Sequence, residues 1–309
     1  MTGCSSTKPE NDLVLGGPDG PVRLDHFLHR CFPEISIQQW KKVLANGLVR
    51  VNGSQARKGT ILTIADSVTL PERLPAALLP GPPLPDPSAQ PTIIFADDEL
   101  LILDKPAGIH THPLSRSERG TLANWLMSYD PSLAGIGFSP LQPGLVNRLD
   151  RDTSGLILVA RSGASWEKYR RLFAGKLVTK IYLGIVHGIL ASPTTVDLPL
   201  IHHPGRQEMM TADIPATFNG RQFPAATTIE PLVRTEKTTT VRLTMTTGVT
   251  HQLRVHAAAI GHPLVGDLLY GSPETAEPDR KTGRLLLHAH QLLLPDDRTF
   301  TAPIEWPAA

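Results

Sequence analysis

The alternation of apolar and polar positions changes most sharply at residues 145–161, Leu-Val-Asn-Arg-Leu-Asp-Arg-Asp-Thr-Ser-Gly-Leu-Ile-Leu-Val-Ala-Arg. Leu156–Ala160 is a continuous apolar run of strand length, which predicts a buried strand. Thr153, Ser154 and Gly155 are turn formers, and Arg148, Asp150, Arg151 and Asp152 crowd the stretch before them. The pattern therefore predicts a charged loop pinned against the core by the adjoining strand. A carboxylate held there among guanidinium groups can stay ionised although partly desolvated. The competing reading is a surface loop whose charges pair in solvent, since perturbed carboxylates mark sites only as a tendency.

The other patterns fall into place around this stretch. Residues 1–20 are polar and Gly-rich and predict a flexible leader. Leu24, Phe27 and Leu28 repeat at helical spacing, and a second helical pattern covers about 36–46, with Ser36 as N-cap and Trp40, Val43 and Leu44 on one face. Leu48–Gly53 alternates as a strand. Residues 71–91 hold eight of the 29 prolines, which excludes regular structure and predicts a stiff spacer between domains. Beyond it, Ile93–Phe95 and Leu100–Leu103 read as strands around the acidic turn Asp97-Asp98-Glu99. Trp166, Tyr169, Leu172 and Phe173 mark a helix, and Lys180–Val186 an alternating strand carrying Tyr182. Residues 226–234 and 239–247 pair through Glu236-Lys237, and a short helix runs from Thr250, read as its N-cap, to Ile260. Arg254, one turn inside that helix, requires an anion partner if buried. The large domain is thus expected to be α+β, built on a mixed, mainly antiparallel sheet with flanking helices, and preceded by a small α/β module at 21–70.

Composition narrows the function. The formal net charge is only +1, but residues 22–60 carry seven Lys/Arg against two Asp/Glu, and residues 148–180 eight against three. Two basic patches fit binding to a phosphate backbone. With two cysteines, Cys4 and Cys31, no disulfide framework is expected, and cytoplasmic residence is the expectation. No apolar segment precedes Cys4, so a signal peptide is not expected, and no apolar run reaches the roughly 18 residues of a membrane span. His110 and His112 form a His-x-His pair in a loop, but no third ligand stands at a recognisable spacing, so no metal is expected.

Two short helices, then Gly-x-Val-x-Val-Asn-Gly and Arg57-Lys58-Gly59, resemble the alpha-L RNA-binding motif over about residues 21–70. The resemblance implies that Lys41, Lys42, Arg57 and Lys58 grip structured RNA. Asn-Arg-Leu-Asp-x-x-Thr-Ser-Gly at 147–155, Lys-x-Tyr at 180–182 and Thr-His-Gln-Leu-Arg-Val-His-x-x-x-x-Gly-His-Pro-Leu-Val-Gly-Asp-x-x-Tyr-Gly at 250–271 resemble the RluA-type pseudouridine synthases. Lys-Pro-Ala-Gly at 105–108 and Arg-Leu-x-Leu-His-Ala at 284–289 match in the same order.

That family breaks the N-glycosidic bond of a uridine in RNA, rotates the base and rejoins it through carbon 5, with no cofactor or metal. The resemblance implies that Asp150 is the catalytic carboxylate, either attacking the ribose or assisting glycal formation. Arg254 matches the arginine that pairs with it. Tyr182 matches the tyrosine that packs on the target base or takes the proton from carbon 5, and Arg148 matches the residue that extrudes the target nucleotide. Arg151, Lys180 and His251 are further candidates for RNA contact. Asn147 stands where many members have His, and Val249 where many have a basic residue; both departures fit the alternative of a non-catalytic RNA-binding or ribosome-assembly factor. A metal hydrolase using His110, His112 and the His251/His256 pair is disfavoured, since five positions on a helix do not share a face. Ribosomal RNA is expected over transfer RNA, acted on by a monomer.

Overall fold

The computed structural model describes residues 5–6, 12–14, 21–32, 35–63, 66–71, 81–137, 139–206, 208–218, 220–304 and 306. The chain divides into two compact units, Met1–Leu84 with Leu114–Glu118, and Pro85–Pro113 with Arg119–Ala309.

In the first unit, helices α1 (Leu24–Cys31) and α2 (Ile37–Ala45) bury Leu24, Phe27, Leu28, Trp40, Val43 and Leu44 against Val49, Leu62 and Val68. Ser36 caps α2 by accepting from the Gln39 N–H while the Gln39 side chain accepts from the Ser36 N–H, a reciprocal pairing that satisfies two free donors at the helix start. Short strands surround the pair: β1 (Ser5–Ser6), β2 (Asp12–Val14), β3 (Val22–Arg23), β4 (Arg50–Val51), β5 (Ser54–Gln55), β6 (Ile61–Leu62) and β7 (Ser67–Thr69). One sheet runs β1-β2-β7-β4-β5, and β3 pairs β6. Within the stretch read as a leader, Asp12–Val14 is thus a strand on β7, and the rest of 1–20 lies outside the described residues apart from β1. Residues 72–80 of the Pro-rich spacer also lie outside them. Leu114–Glu118, read from sequence as part of the large domain, joins the first unit, where the Arg116 side chain donates to the Pro82 carbonyl and the Arg116 carbonyl accepts from the Leu84 N–H.

The second unit is built on β8 (Thr92–Ala96), β9 (Leu100–Lys105), β10 (Ser154–Ala160), β11 (Thr179–His187), β12 (Thr194–Asp197), β15 (Ala226–Arg234), β16 (Thr238–Met245), β17 (Leu287–Leu293) and β18 (Thr299–Thr301), with a separate hairpin of β13 (Ile201–His202) and β14 (Met210–Thr211). Its main sheet runs β12-β15-β16-β11-β17-β10-β9-β8, with β18 on β17. Every neighbouring pair is antiparallel except β10 and β17, the mixed sheet expected.

β10 is buried at all seven positions because both faces of the sheet are covered. Ile157 and Val159 join Leu101 and Leu103 under α3 (Leu122–Tyr129) and α5 (Gln252–Ala259), while Leu156 and Leu158 join Leu100 and Ile102 under α4 (Gly163–Ala174). Each such side chain contributes about 1.5–3 kcal/mol by burial. A last short helix, α6 (Ala276–Thr282), precedes β17.

Register at the centre of the sheet brings two distant segments level. Tyr182 of β11 and Gly155 of β10 are both partners of Ala289 on β17, so the loop entering β10 and the middle of β11 open at the same height. Gly155 has φ of 115°, and a Cβ there would lie 2.3 Å from the Ala289 carbonyl oxygen, so only glycine permits this approach.

Candidate active site

The loop carrying Asp150 is clamped along its length. At its start, Asn147 donates its amide to the Leu156 carbonyl and accepts from the Leu158 N–H. At Leu149, the Thr111 hydroxyl donates to the carbonyl at 2.7 Å and accepts from the N–H at 3.2 Å. At Arg151, the carbonyl accepts from the Gly108 N–H and from the Lys105 ammonium. Asn147 thus binds two backbone groups of the adjoining strand β10, a role its short amide performs well.

Lys105 is fully buried, and its ammonium donates to the carbonyls of Pro106, Ile109 and Arg151 at 2.9, 3.0 and 3.1 Å. Three acceptors match the three donors of a protonated amine. Burial pushes this ammonium down to about 7, against the pull of the Asp150 and Asp152 carboxylates. Unfolded lysine keeps its proton to about pH 10.4, so between roughly pH 7 and 10 the unfolded chain binds one proton more than the folded chain. The contribution of this group to stability is therefore lowest below pH 7 and rises with pH across that window. Urea unfolding at about pH 7 and pH 9 is expected to show a gain of about 2–3 kcal/mol that Lys105→Met lacks; equal pH slopes in the two proteins would refute it.

Opposite the loop, α5 begins at Gln252, with His251 as its N-cap in a left-handed conformation (φ 57°) and no side-chain cap bond. Thr250, the cap expected from sequence, lies one residue too early, because the chain turns through His251 before the helical bonds begin. The Arg254 guanidinium donates through Nε and Nη2 to Asp267 at 2.8 and 2.7 Å. Its third nitrogen, Nη1, stands 3.8 Å from Asp150 Oδ2, and His251 Nε2 stands 3.9 Å from the same oxygen. The groups set against Asp150 are thus Arg254 and His251. Arg151 instead pairs in solvent with Asp152 at 4.0 Å, and Arg148 is exposed.

The anion partner that a buried Arg254 demands is Asp267, whose side chain is wholly inaccessible and also accepts from the N–H groups of Leu269 and Tyr270. Gly266 makes this turn feasible: its φ is 80°, and a Cβ there would meet the Arg284 carbonyl at 1.8 Å. Asp267 lies within the motif at 250–271, where nothing in the local pattern marks it out. The pairing rule for buried charge, applied to Arg254, is the signal that could have found it.

Tyr182 is buried on β11, and its phenol is held well above its ordinary pKa by burial and by the Asp150 carboxylate, so it is protonated at neutral pH. Lys180, two residues earlier, is buried as well; its ammonium donates to the Thr247 carbonyl, and burial lowers it to about 8. Val249 packs in a small apolar cluster with Leu200, Met210, Val255 and Tyr270. Lys41, Lys42, Arg57 and Lys58 belong to the first unit, where Lys42, Arg57 and Lys58 are exposed and Lys41 stands 4.0 Å from Asp25. His110 is exposed in the loop after β9. Among the described residues no group of three or more His, Cys, Asp or Glu could hold a metal ion, and no helix is long and apolar enough to cross a membrane.

Three segments distant in sequence thus bring a partly exposed carboxylate, a buried guanidinium and a buried phenol to one place, an arrangement that presents a carboxylate to a substrate beside fixed positive charge. A family model described as RNA pseudouridylate synthase matches residues 99–259. The chain is 37% identical over 291 residues to an uncharacterised RNA pseudouridine synthase of Synechocystis sp., covering 92% of this chain and 84% of that protein. It is 33% identical over 296 residues to ribosomal large subunit pseudouridine synthase D of Nitrosomonas europaea, covering 94% and 82%. The solved structure of human RNA pseudouridylate synthase domain containing 1 matches with a TM-score of 0.58 at 26% identity, over 72% of this chain and 86% of that one.

Proposed function

This chain belongs to the RNA pseudouridylate synthase family, and on that premise we propose that Asp150 is the carboxylate acting at the anomeric carbon of a uridine in ribosomal RNA. The observation that carries the reading is the placement of Asp150 on a clamped loop, facing the free edge of a guanidinium whose other edge is occupied by Asp267. Arg254 Nη1 stands 3.8 Å from Asp150 with no short bond between them, which leaves the carboxylate free to react.

In the reaction the bond from ribose C1′ to uracil N1 breaks and a bond from C1′ to C5 forms, while the proton on C5 is exchanged for one on N1. The product has the composition of the substrate, so no oxidant, reductant or cofactor is called for. Asp150 serves by attack on the ribose or by assisting glycal formation. Tyr182, held protonated, packs on the base and does not act as a pre-formed phenolate. Arg148, exposed two residues before Asp150, fills the stack vacated by the extruded nucleotide. Arg151 anchors the loop through its backbone and contacts RNA through its exposed side chain. Lys41, Lys42, Arg57 and Lys58 bind RNA phosphates from the first unit. The protein acts as a cytoplasmic monomer.

The large-subunit ribosomal name of the Nitrosomonas relative supports ribosomal RNA as the substrate. The test is to map pseudouridines in total RNA from cells with and without this protein. Loss of one or a few ribosomal sites is expected. Loss confined to transfer RNA would overturn the substrate, and no loss in any RNA would leave a non-catalytic RNA binder.

A further inference from the structure

Beside Asp150 lies a chain of hydrogen bonds that the assignment of Asp150, Arg254 and Tyr182 leaves unused. The Tyr270 hydroxyl accepts from the Met210 N–H at 2.8 Å and lies 2.8 Å from His251 Nδ1. The ring of Tyr270 meets the His251 ring edge-on at a centroid separation of 5.5 Å and sits 5.1 Å from the Arg254 guanidinium carbon. One tyrosine therefore touches both groups that face Asp150.

The donors and acceptors favour one arrangement. A backbone N–H only donates, so the Met210 contact uses an oxygen lone pair of Tyr270 and leaves the hydroxyl proton to be placed. Its other partner is Nδ1, so the proton is directed there and Nδ1 accepts. The imidazole then carries its own proton on Nε2, the nitrogen 3.9 Å from Asp150 Oδ2. The opposite tautomer would aim a lone pair at a carboxylate and leave the tyrosine proton without this acceptor. Burial favours the neutral ring, lowering its pKa although Asp150 pulls it upward. His251 holds this position from a left-handed backbone, φ 57°, a conformation costly for a residue other than glycine.

We propose that His251 is a positioning residue for Asp150: a neutral imidazole whose Nε2–H faces the carboxylate, its tautomer set by Tyr270 and, through the Met210 N–H, by the hairpin of β13 and β14. This gives His251 a part distinct from RNA contact and makes Tyr270 and the hairpin backbone components of the site. The inference rests on the proposed role of Asp150 as the reacting carboxylate. It also explains a division of labour at Asp150 Oδ2: Arg254 brings fixed charge to 3.8 Å, and His251 brings a directed dipole to 3.9 Å. With both present, the carboxylate is oriented without being held in a direct bond to either.

Tyr270→Phe removes the hydroxyl and keeps the ring against Arg254. Nitrogen-15 spectra of the imidazoles, with the His251 signals identified by their loss in His251→Gln, are expected to show the Nε2–H tautomer in the wild-type protein and a shift toward Nδ1–H in Tyr270→Phe. A wild-type Nδ1–H tautomer would overturn the proposal. With total RNA from cells lacking the protein as substrate, Tyr270→Phe is expected to lower kcat about tenfold with KM little changed, the loss of one hydrogen bond's worth of orientation. His251→Gln, which keeps an N–H donor at the position of Nε2, is expected to retain more activity than His251→Leu. Wild-type kcat in Tyr270→Phe, or equal losses in His251→Gln and His251→Leu, would overturn it. Wild-type turnover that survives Asp150→Asn would refute the reading of Asp150 instead, and the spectra would still judge the tautomer.

Discussion

Asp150→Asn is expected to isomerise uridine at least about 10³-fold more slowly than the wild-type protein on the same RNA, the scale on which a reacting carboxylate contributes. The substitution keeps the shape of the side chain and removes only its charge. The fold is expected to tolerate it, because the carboxylate is about a quarter exposed and Arg254 keeps both bonds to Asp267. A change in unfolding free energy within about 1 kcal/mol fits a partly solvated ion pair. Single-turnover pseudouridine formation and urea unfolding, measured on the same preparation, separate the two effects. Near wild-type turnover would remove Asp150 from the chemistry, while unfolding would make the loss of activity uninformative and call for Asp150→Glu as the companion variant.

For Asp267→Ala the expectation is reversed, with the principal loss in stability. Asp267 is inaccessible to solvent, receives two bonds from Arg254 and accepts from two backbone N–H groups. Removing it leaves a guanidinium buried with only the distant Asp150 oxygen to offset its charge. Breaking a buried ion pair from one side costs about 3–5 kcal/mol. Asp267→Asn keeps the acceptor for the backbone and is expected to fall between Asp267→Ala and the wild type. A loss below about 1 kcal/mol for Asp267→Ala, by urea unfolding, would show that Arg254 is compensated in some other way. Arg254 thus faces two carboxylates of different exposure: Asp267, inaccessible and doubly bonded to it, and Asp150, partly exposed and proposed as the reacting one.

Much of this was legible in the chain. The apolar run at 156–160 is the buried strand it predicts, and the helical spacing of Trp166, Tyr169, Leu172 and Phe173 is α4. The capping of α2 by Ser36 follows from residue types alone. Boundaries were less secure where backbone conformation overrides propensity, as at His251, whose left-handed turn starts α5 later than Thr250 implies. Of the guanidinium groups expected around Asp150, the one that faces it is that of Arg254, which the resemblance implied, and not those of its sequence neighbours Arg148 and Arg151. Asn147, a departure from the family pattern, is explained by its two bonds to the backbone of β10.

The sequence by itself determined what depends on near neighbours: where the chain is extended or helical, where it turns, and that a charged loop precedes a buried strand. These features arise from side-chain period and from the conformations that Gly, Ser and Thr permit. Only the tertiary structure decided which charges face one another. Tyr182 and Gly155 come level because both pair with Ala289, and Asp267 and Tyr270 come to the site from one turn and Met210 from strand β14. No local pattern encodes such meetings. They are set by strand register and by the requirement that every buried charge and hydroxyl find a partner, and both conditions are satisfied only once distant segments have packed.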